Sequence, residues 1–201
     1  SFFTKDNTDI SGISAIVGER VTSSVNFSIP YRQIWGFVKP SLSVIHRKYN
    51  LDDTPTNFRA NPEETTPVFS LDGGLYFDRF FDFSGHSLQQ TLEPRLYFLY
   101  AQEEFQDDLP KFDTGPLTPS FSQLFRENRF GGSDRIGDAR QLSVGLTSRF
   151  LFQDTGAELL SISLGQIYFF KDRAVSTSSS VFEPPTARES ALFAEARLKL
   201  G

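Results

Sequence analysis

The chain has no cysteine and no methionine, and it has one tryptophan and two histidines among 201 residues. Without cysteine there is neither a disulfide nor a thiolate metal centre within these residues, and the redox compartment stays open. His46 and His86 are far apart in sequence, so neither a metal site nor a catalytic triad is expected, and both read as ordinary polar positions. G-x-S-x-G, H-E-x-x-H and P-loop patterns are all missing, so no enzyme, cofactor or resident metal is expected. No stripe of Lys and Arg interleaves with aromatics, and the net charge is −5, which excludes nucleic acid as a partner. Mean hydropathy is −0.29, and no run of about 18 apolar residues is present, which excludes a transmembrane helix. Ser1-Phe2-Phe3-Thr4 carries no signal-peptide pattern, as a mature chain and an excised piece would both look.

What is abundant is phenylalanine, 22 residues, and alternation. Leu92, Pro94, Leu96, Phe98 and Tyr100 alternate with Thr91, Glu93, Arg95 and Tyr97. Successive strand side chains point to opposite faces, so the stretch has one apolar face and one polar face. The pattern recurs. Val21, Val25, Phe27 and Ile29 oppose Thr22, Ser24, Asn26 and Ser28. Val38, Leu42 and Val44 oppose Lys39, Ser41, Ser43 and Arg47. Phe69, Leu71, Leu75 and Phe77 oppose Ser70, Asp72, Tyr76 and Asp78. Leu142, Val144, Leu146 and Phe150 oppose Gln141, Ser143, Thr147 and Arg149, and Leu160, Ile162 and Leu164 oppose Ser161, Ser163 and Gly165. The last strand sets Leu192, Ala194, Ala196, Leu198 and Leu200 against Phe193, Glu195, Arg197 and Lys199.

The spacing predicts seven strands, at about 20–29, 34–50, 66–82, 87–101, 139–151, 158–170 and to the end of the chain, with a stub at 1–4. Short turns fall at Pro30–Gln33, Ser84–His86 and Gln153–Gly156. Long polar connections fall at 6–18, 51–65, 102–138 and 171–188. Short and long connections alternate, as in a transmembrane β-barrel with periplasmic turns and extracellular loops. The fold class is therefore all-β, an antiparallel transmembrane β-barrel segment. Seven strands and a stub do not close easily, and an open edge in lipid costs several kcal/mol per unpaired group, so the expectation is an internal segment of a larger barrel. Pro40 and Pro94 lie inside strands and are read as bulges, with flexible pairing as the alternative.

At this point the residues resemble a known family. Leu92-Glu93-Pro94-Arg95-Leu96-Tyr97-Phe98-Leu99-Tyr100 resembles a signature of the LPS-assembly protein LptD (OstA/Imp) family. Phe112-Asp113-Thr114-Gly115-Pro116, Gln123 to Phe130, Gly132 to Ala139, Gly145 to Phe150 and Ser163 to Phe170 follow in order, with Tyr31 to Gly36 and Phe69 to Gly74 before them. The resemblance implies that residues 1–201 are part of the family's C-terminal barrel domain, integral to the Gram-negative outer membrane. It implies lipopolysaccharide insertion into the outer leaflet, the lipoprotein LptE as plug, and a periplasmic Lpt bridge reached through parts absent here. The periplasmic domain, its cysteines and the gate strands are also expected to be absent.

The 102–138 loop is the leading candidate site, since long structureless loops are uncommon unless functional or disordered. Its phenylalanines need burial, so it is expected to fold inward against the lumen or a plug. Its candidate partner and lumen residues are Phe112, Asp113, Phe125, Arg126, Arg129, Phe130, Asp134 and Arg135, with Arg135 pairing to Asp134 or Asp138. Glu93, Arg95, Arg149, Glu195 and Arg197 are expected to face a polar lumen. Acidic tips at Asp52, Asp53, Glu63, Glu64, Glu103, Glu104, Asp107 and Asp108 read as solvated charges, with divalent-cation binding as the alternative. Two rival functions remain. A diffusion porin would conduct ions without a plug. A soluble β-sandwich binding module would bury Leu42, Leu71 and Leu96 between sheets.

Overall fold

A computed structural model describes residues 2–5, 17–52, 59, 61–106, 109–175 and 186–199. Asp53, Asp107, Asp108, Leu200 and most of the 6–18 connection lie outside the described residues. The strands are β1 Phe2–Lys5, β2 Val17–Ser28, β3 Tyr31–Gln33, β4 Gly36–Asp52, β5 Glu63–Leu75, β6 Phe77–Phe83, β7 His86–Ala101, β8 Ala139–Phe152, β9 Glu158–Phe169 and β10 Phe193–Leu198. All pair antiparallel in one open sheet, in the order β1-β2-β4-β5-β7-β8-β9-β10. β3 continues the line of β2 along β4, and β6 continues β5 along β7. The strands thus form eight ranks, seven and a short first one, with β1 and β10 at the edges.

The first turn differs from the sequence reading. Pro30 does not reverse the chain; it separates β2 from β3, and Ile34-Trp35 makes the hairpin between Gln33 and Gly36. Proline has no N–H for the ladder, so it interrupts the strand while the chain stays extended. The Ser84-Gly85 turn has positive φ at both residues, 52° and 79°. That is the two-residue geometry matching strand twist, and it leaves Gly85 at a conformation most side chains avoid.

Pro40 and Pro94 are not bulges. Pro40 stands opposite Leu71 and Pro94 opposite Leu146 with the register unbroken on those sides. Each instead coincides with a break in the other neighbour. Pro40 faces the gap between β2 and β3, where its carbonyl accepts from the Ile29 N–H at 3.2 Å. Pro94 faces the gap between β5 and β6, where pairing stops at Gly74–Arg95 and resumes at Phe77–Leu92. A missing donor removes one rung, and the partner strand breaks at that rung. The register shift in the β8–β9 pair falls at Phe150/Leu151.

Burial is inverted relative to a water-soluble sheet. The apolar rows are outside: Val25 is 72% and Phe27 65% exposed. Leu42, Leu71 and Leu96 are 48%, 41% and 52% exposed, which contradicts a sandwich that buries them between sheets. The opposite face carries buried Arg20, Ser41, Ser43, Arg47, Thr66, Ser70, Asp72, Ser143 and Thr147. Soluble monomers rarely expose apolar patches of more than a few hundred Å², whereas a barrel wall presents such a band to lipid. The sheet is an open segment of a β-barrel wall. Substituting Leu96→Arg, mid-strand on the apolar face, is expected to cost about 2–4 kcal/mol. Loss of heat-modifiable folded protein in membranes would report it, with Ser163→Lys on the polar face as the tolerated comparison.

Candidate functional site

The polar face is buried because the segment between β7 and β8 folds back over it. Asp134, with no exposed surface, is its centre. One carboxylate oxygen of Asp134 accepts from the backbone N–H groups of Phe112 and Asp113, both at 2.7 Å, and of Thr114 at 3.2 Å. The other oxygen pairs with Arg20 of β2. Arg20 also grips Asp113 with two nearly parallel bonds of 2.9 and 2.8 Å. Paired charge-assisted bonds of this kind fix geometry as well as energy. The Asp134 carbonyl accepts from Arg47 Nη1 of β4 at 2.6 Å, and that nitrogen also donates to Gln106 Oε1 at 3.0 Å. Gln106 closes the knot on the Ile136 backbone, accepting from its N–H at 3.0 Å and donating to its C=O at 2.8 Å. Gly132 makes the bend before this knot. Its φ is +68°, and a Cβ there would lie 2.4 Å from the Asp113 carbonyl oxygen.

The second anchor is steric. Residues Phe121–Phe125 form a 3₁₀ turn seated on paired glycines, Gly145 of β8 opposite Gly165 of β9. A Cβ at Gly165 would come within 2.5 Å of Leu124 Cδ1 and 2.8 Å of the Val144 carbonyl. A Cβ at Gly145 would come within 2.6 Å of the Phe125 ring. Strand glycines often mark such close approach. Phe125 stacks edge-on against Tyr97 with centroids 6.3 Å apart, under the Arg95 guanidinium at 4.1 Å. Arg95 is itself held by Asp72 through two bonds of 2.8 and 2.7 Å.

The sequence candidates fall into separate groups. Asp113 and Asp134 meet at Arg20, and Phe112 packs on Tyr49 beside Leu51 and Leu109. Arg135 does not pair with Asp134 or Asp138 through its carboxylates. Its guanidinium donates to the backbone carbonyls of Leu109 at 2.6 Å and Pro110 at 3.3 Å. Asp138 instead takes Arg129 at 2.8 Å and the N–H groups of Ala174 and Val175 at 2.9 and 3.0 Å, joining two loops. The expected pairing failed because the Asp134 carboxylate already has four donors and Arg135 is aimed at the backbone carbonyls of its own loop, that of Asp134 at 3.2 Å among them. Phe130 is buried beneath Arg129. Among the described residues Arg126 joins none of these groups; it is exposed and donates only to Gln123, at 3.3 Å. Glu93 pairs with Arg149 at 3.0 Å, and Arg149 reaches Glu158 at 3.0 Å. Arg95, Arg149, Glu195 and Arg197 line one cavity of about 330 Å³ with Phe121 and Phe125.

Several anchoring residues escaped the sequence reading: Arg20, Tyr49, Val68, Leu99 and Gln106. Val68, Leu99 and Ala101 form a small apolar cluster on the otherwise polar face, with Tyr97, Ile136 and Ala139. The available signal was the break in alternation near the loop ends, where apolar residues occupy polar-face positions. Gln106 carried no such signal. His46 bonds Thr65 at 2.9 Å and His86 stacks on Phe152, at opposite ends of the sheet. Glu63 lies 3.4 Å from His46, and Glu64 pairs with Arg59 at 2.7 Å. Among the described residues no cluster of carboxylates and histidines is arranged for a metal.

The anchors have a definite acid response. The Arg20 guanidinium holds the Asp113 carboxyl well below the usual carboxylate range. Burial pushes Asp138 upward, but Arg129 and the two loop N–H groups outweigh it and leave it lowered. A depressed carboxylate contributes stability above its unfolded pKa, about 3.9, and loses it as pH falls toward the folded value. Amide exchange at Ser133, Ala174 and Val175, whose N–H groups donate to these two carboxylates, is therefore expected to stay protected at neutral pH and down to about pH 5, then fail progressively below about pH 4. Asp134→Ala is expected to expose the loop at neutral pH, since removing one partner of a buried pair costs about 3–5 kcal/mol. Trypsin cleavage at Arg126 and Arg129 measures that exposure. Gly165→Leu should open the same sites by displacing Leu124, with Asp134 intact.

Comparison with known proteins bears on the whole arrangement. The family model for LPS transport system D (LptD) matches residues 3–201. The LPS-assembly protein LptD of Hahella chejuensis is 41% identical over 177 residues, covering 87% of this chain and 22% of that protein. The LptD of Pseudomonas aeruginosa is 43% identical over 181 residues, covering 85% and 20%. The LptD of Alcanivorax borkumensis is 47% identical over 163 residues, covering 81% and 21%. The chain spans about a fifth of the length of these curated relatives. With an open antiparallel wall, an apolar outer face and a family match along nearly all of its length, the chain belongs to the LptD family of LPS-assembly proteins.

Proposed function

We propose that this chain forms part of the wall of an outer-membrane translocon that delivers lipopolysaccharide to the outer leaflet, with LptE seated in the barrel. The observation that carries the reading is the inverted sheet, with lipid-type residues outside and buried arginines, carboxylates and hydroxyls inside. A glycan-bearing lipid needs a polar passage beside an apolar wall, and the two faces provide both. The names of the relatives support the same cargo. The reaction is transport, not bond chemistry, and its energy arrives from outside this segment through the periplasmic Lpt bridge. Long loops would face the cell exterior and short turns the periplasm.

Arg126 is the residue we assign to contact with the plug, because it is exposed on the inward-folded loop and does not help to hold it there. Arg129 is a poor probe, since Asp138 and Val175 hold it in the structure. Co-purification from detergent tests the assignment. Arg126→Glu in the full-length protein is expected to reduce retained LptE several-fold while the barrel stays heat-modifiable, and undiminished retention would sink the contact. Photo-crosslinkers at Ser163 and Leu164 test the cargo. Adducts with lipopolysaccharide are expected at Ser163, on the polar face, while its synthesis continues. A protein that conducts ions freely and gives no adduct there is a porin instead.

A further inference from the structure

The apolar face carries one polar chain of hydrogen bonds that the inward-folded loop does not explain. Arg79 of β6 stands opposite Gln90 of β7 and shares the outward row with Phe77 and Phe81. Its Nε–H donates to Gln90 Oε1 at 2.8 Å. Gln90 Nε2 donates to Ser148 Oγ of β8 at 2.9 Å, and the Ser148 hydroxyl donates to the Thr91 carbonyl at 2.9 Å. Every donor in this relay points the same way, so the guanidinium is held by Nε alone. Among the described residues its two Nη groups have no partner and no carboxylate pairs with it. Asp78 and Asp82 alternate onto the other face, where Asp82 accepts from Ser87 at 2.7 Å.

The level of the relay is informative. On β5 and β6 the outward row reads Phe69, Leu71, Gly73, Leu75 and Phe77 before Arg79. On β7 it reads Tyr100, Phe98, Leu96, Pro94 and Leu92 before Gln90, and on β8 Leu142, Val144 and Leu146 before Ser148. On three adjacent strands one polar residue interrupts the outward row within two residues of one level, on the side of the short turns, and the rows become apolar again at Phe81, Leu88 and Phe150. Arginine on a lipid-facing row is costly at mid-membrane and nearly neutral at the interface. Aromatic residues continue beyond it: Phe81 packs edge-on to Phe150 at 6.3 Å, and the Arg79 guanidinium lies 5.6 Å from the Phe81 ring.

We infer that Arg79, fastened by Gln90 and Ser148, is a binding site on the outer wall for the phosphate of an anionic glycerophospholipid in the periplasmic leaflet. A guanidinium held by Nε presents both Nη groups as a fork, the geometry that matches two phosphate oxygens. Phe77 lies on the acyl-chain side of the headgroup level and Phe81 on the turn side of it. The site rests on the reading of this sheet as an outer-membrane wall with its short turns toward the periplasm.

The test uses the full-length protein in nanodiscs of phosphatidylcholine with a minor fraction of phosphatidylglycerol, and native mass spectrometry to count the phosphatidylglycerol retained. Arg79→Gln is expected to lower retention about fivefold, the effect of one basic residue near an anionic surface. Gln90→Leu keeps the charge but frees the side chain, and is expected to give a smaller loss. Equal retention by wild type and both variants overturns the site. Discs in which lipid A replaces phosphatidylglycerol give the second arm: a loss on Arg79→Gln confined to lipid A overturns the periplasmic assignment. If the wild type fails to enter the disc, the barrel reading falls first and the site with it.

Discussion

The inner architecture depends on one buried carboxylate. Asp134 turns three consecutive backbone N–H groups of its own loop inward and offers its remaining oxygen to Arg20 on the wall. Neither half is stable alone. Without Asp134 the buried Arg20 would keep only the half-buried Asp113 as counter-charge, and three unpaired N–H groups would each need water. Together they convert a polar loop and a polar wall into one packed unit. Arg47 then adds a charge-assisted bond to the Asp134 carbonyl, and Gln106 and Asn128 add neutral bonds to the backbone groups around it.

The wall was legible in the sequence because a period of two is a local signal. The alternation is carried locally along each strand, and burial of the polar face against exposure of the apolar one follows it along β4, β5 and β8, where the loop covers the sheet. The hairpin positions were less legible. Pro30 looks like a turn residue, yet the strand continues past it to Ile34-Trp35, because the ladder on β4 has enough other rungs to hold Tyr31 to Gln33 in line. The same holds for Pro40 and Pro94. Composition shows a missing donor but not which neighbour was meant to receive it.

The loop was legible as an inward-folded object and illegible in its contacts. Hydrophobic demand from Phe112, Phe125 and Phe130 indicates burial, but ion-pair choice is set over long separations. Arg20 lies 93 residues from Asp113 and 114 from Asp134. Nearby charges such as Arg135 were the natural guess and were used otherwise, on backbone carbonyls. Glycine pairing across strands was equally hidden. Gly145 and Gly165 look like weak points of two strands until a helical turn is seen to rest on them.

The route of the loop has a mechanical meaning. It leaves β7 and returns to β8, yet it is tied to β2 through Arg20, to β4 through Arg47 and Ser43, to β5 through Ser70 and to β9 through the seat at Gly165. It therefore spans the concave side of the sheet like the string of a bow. A twisted sheet has no fixed radius of its own, since neighbouring strands can roll about their hydrogen bonds. A chord anchored at several ranks removes that freedom. The curvature of this part of the wall is written in the length of the segment between Gln106 and Asp138.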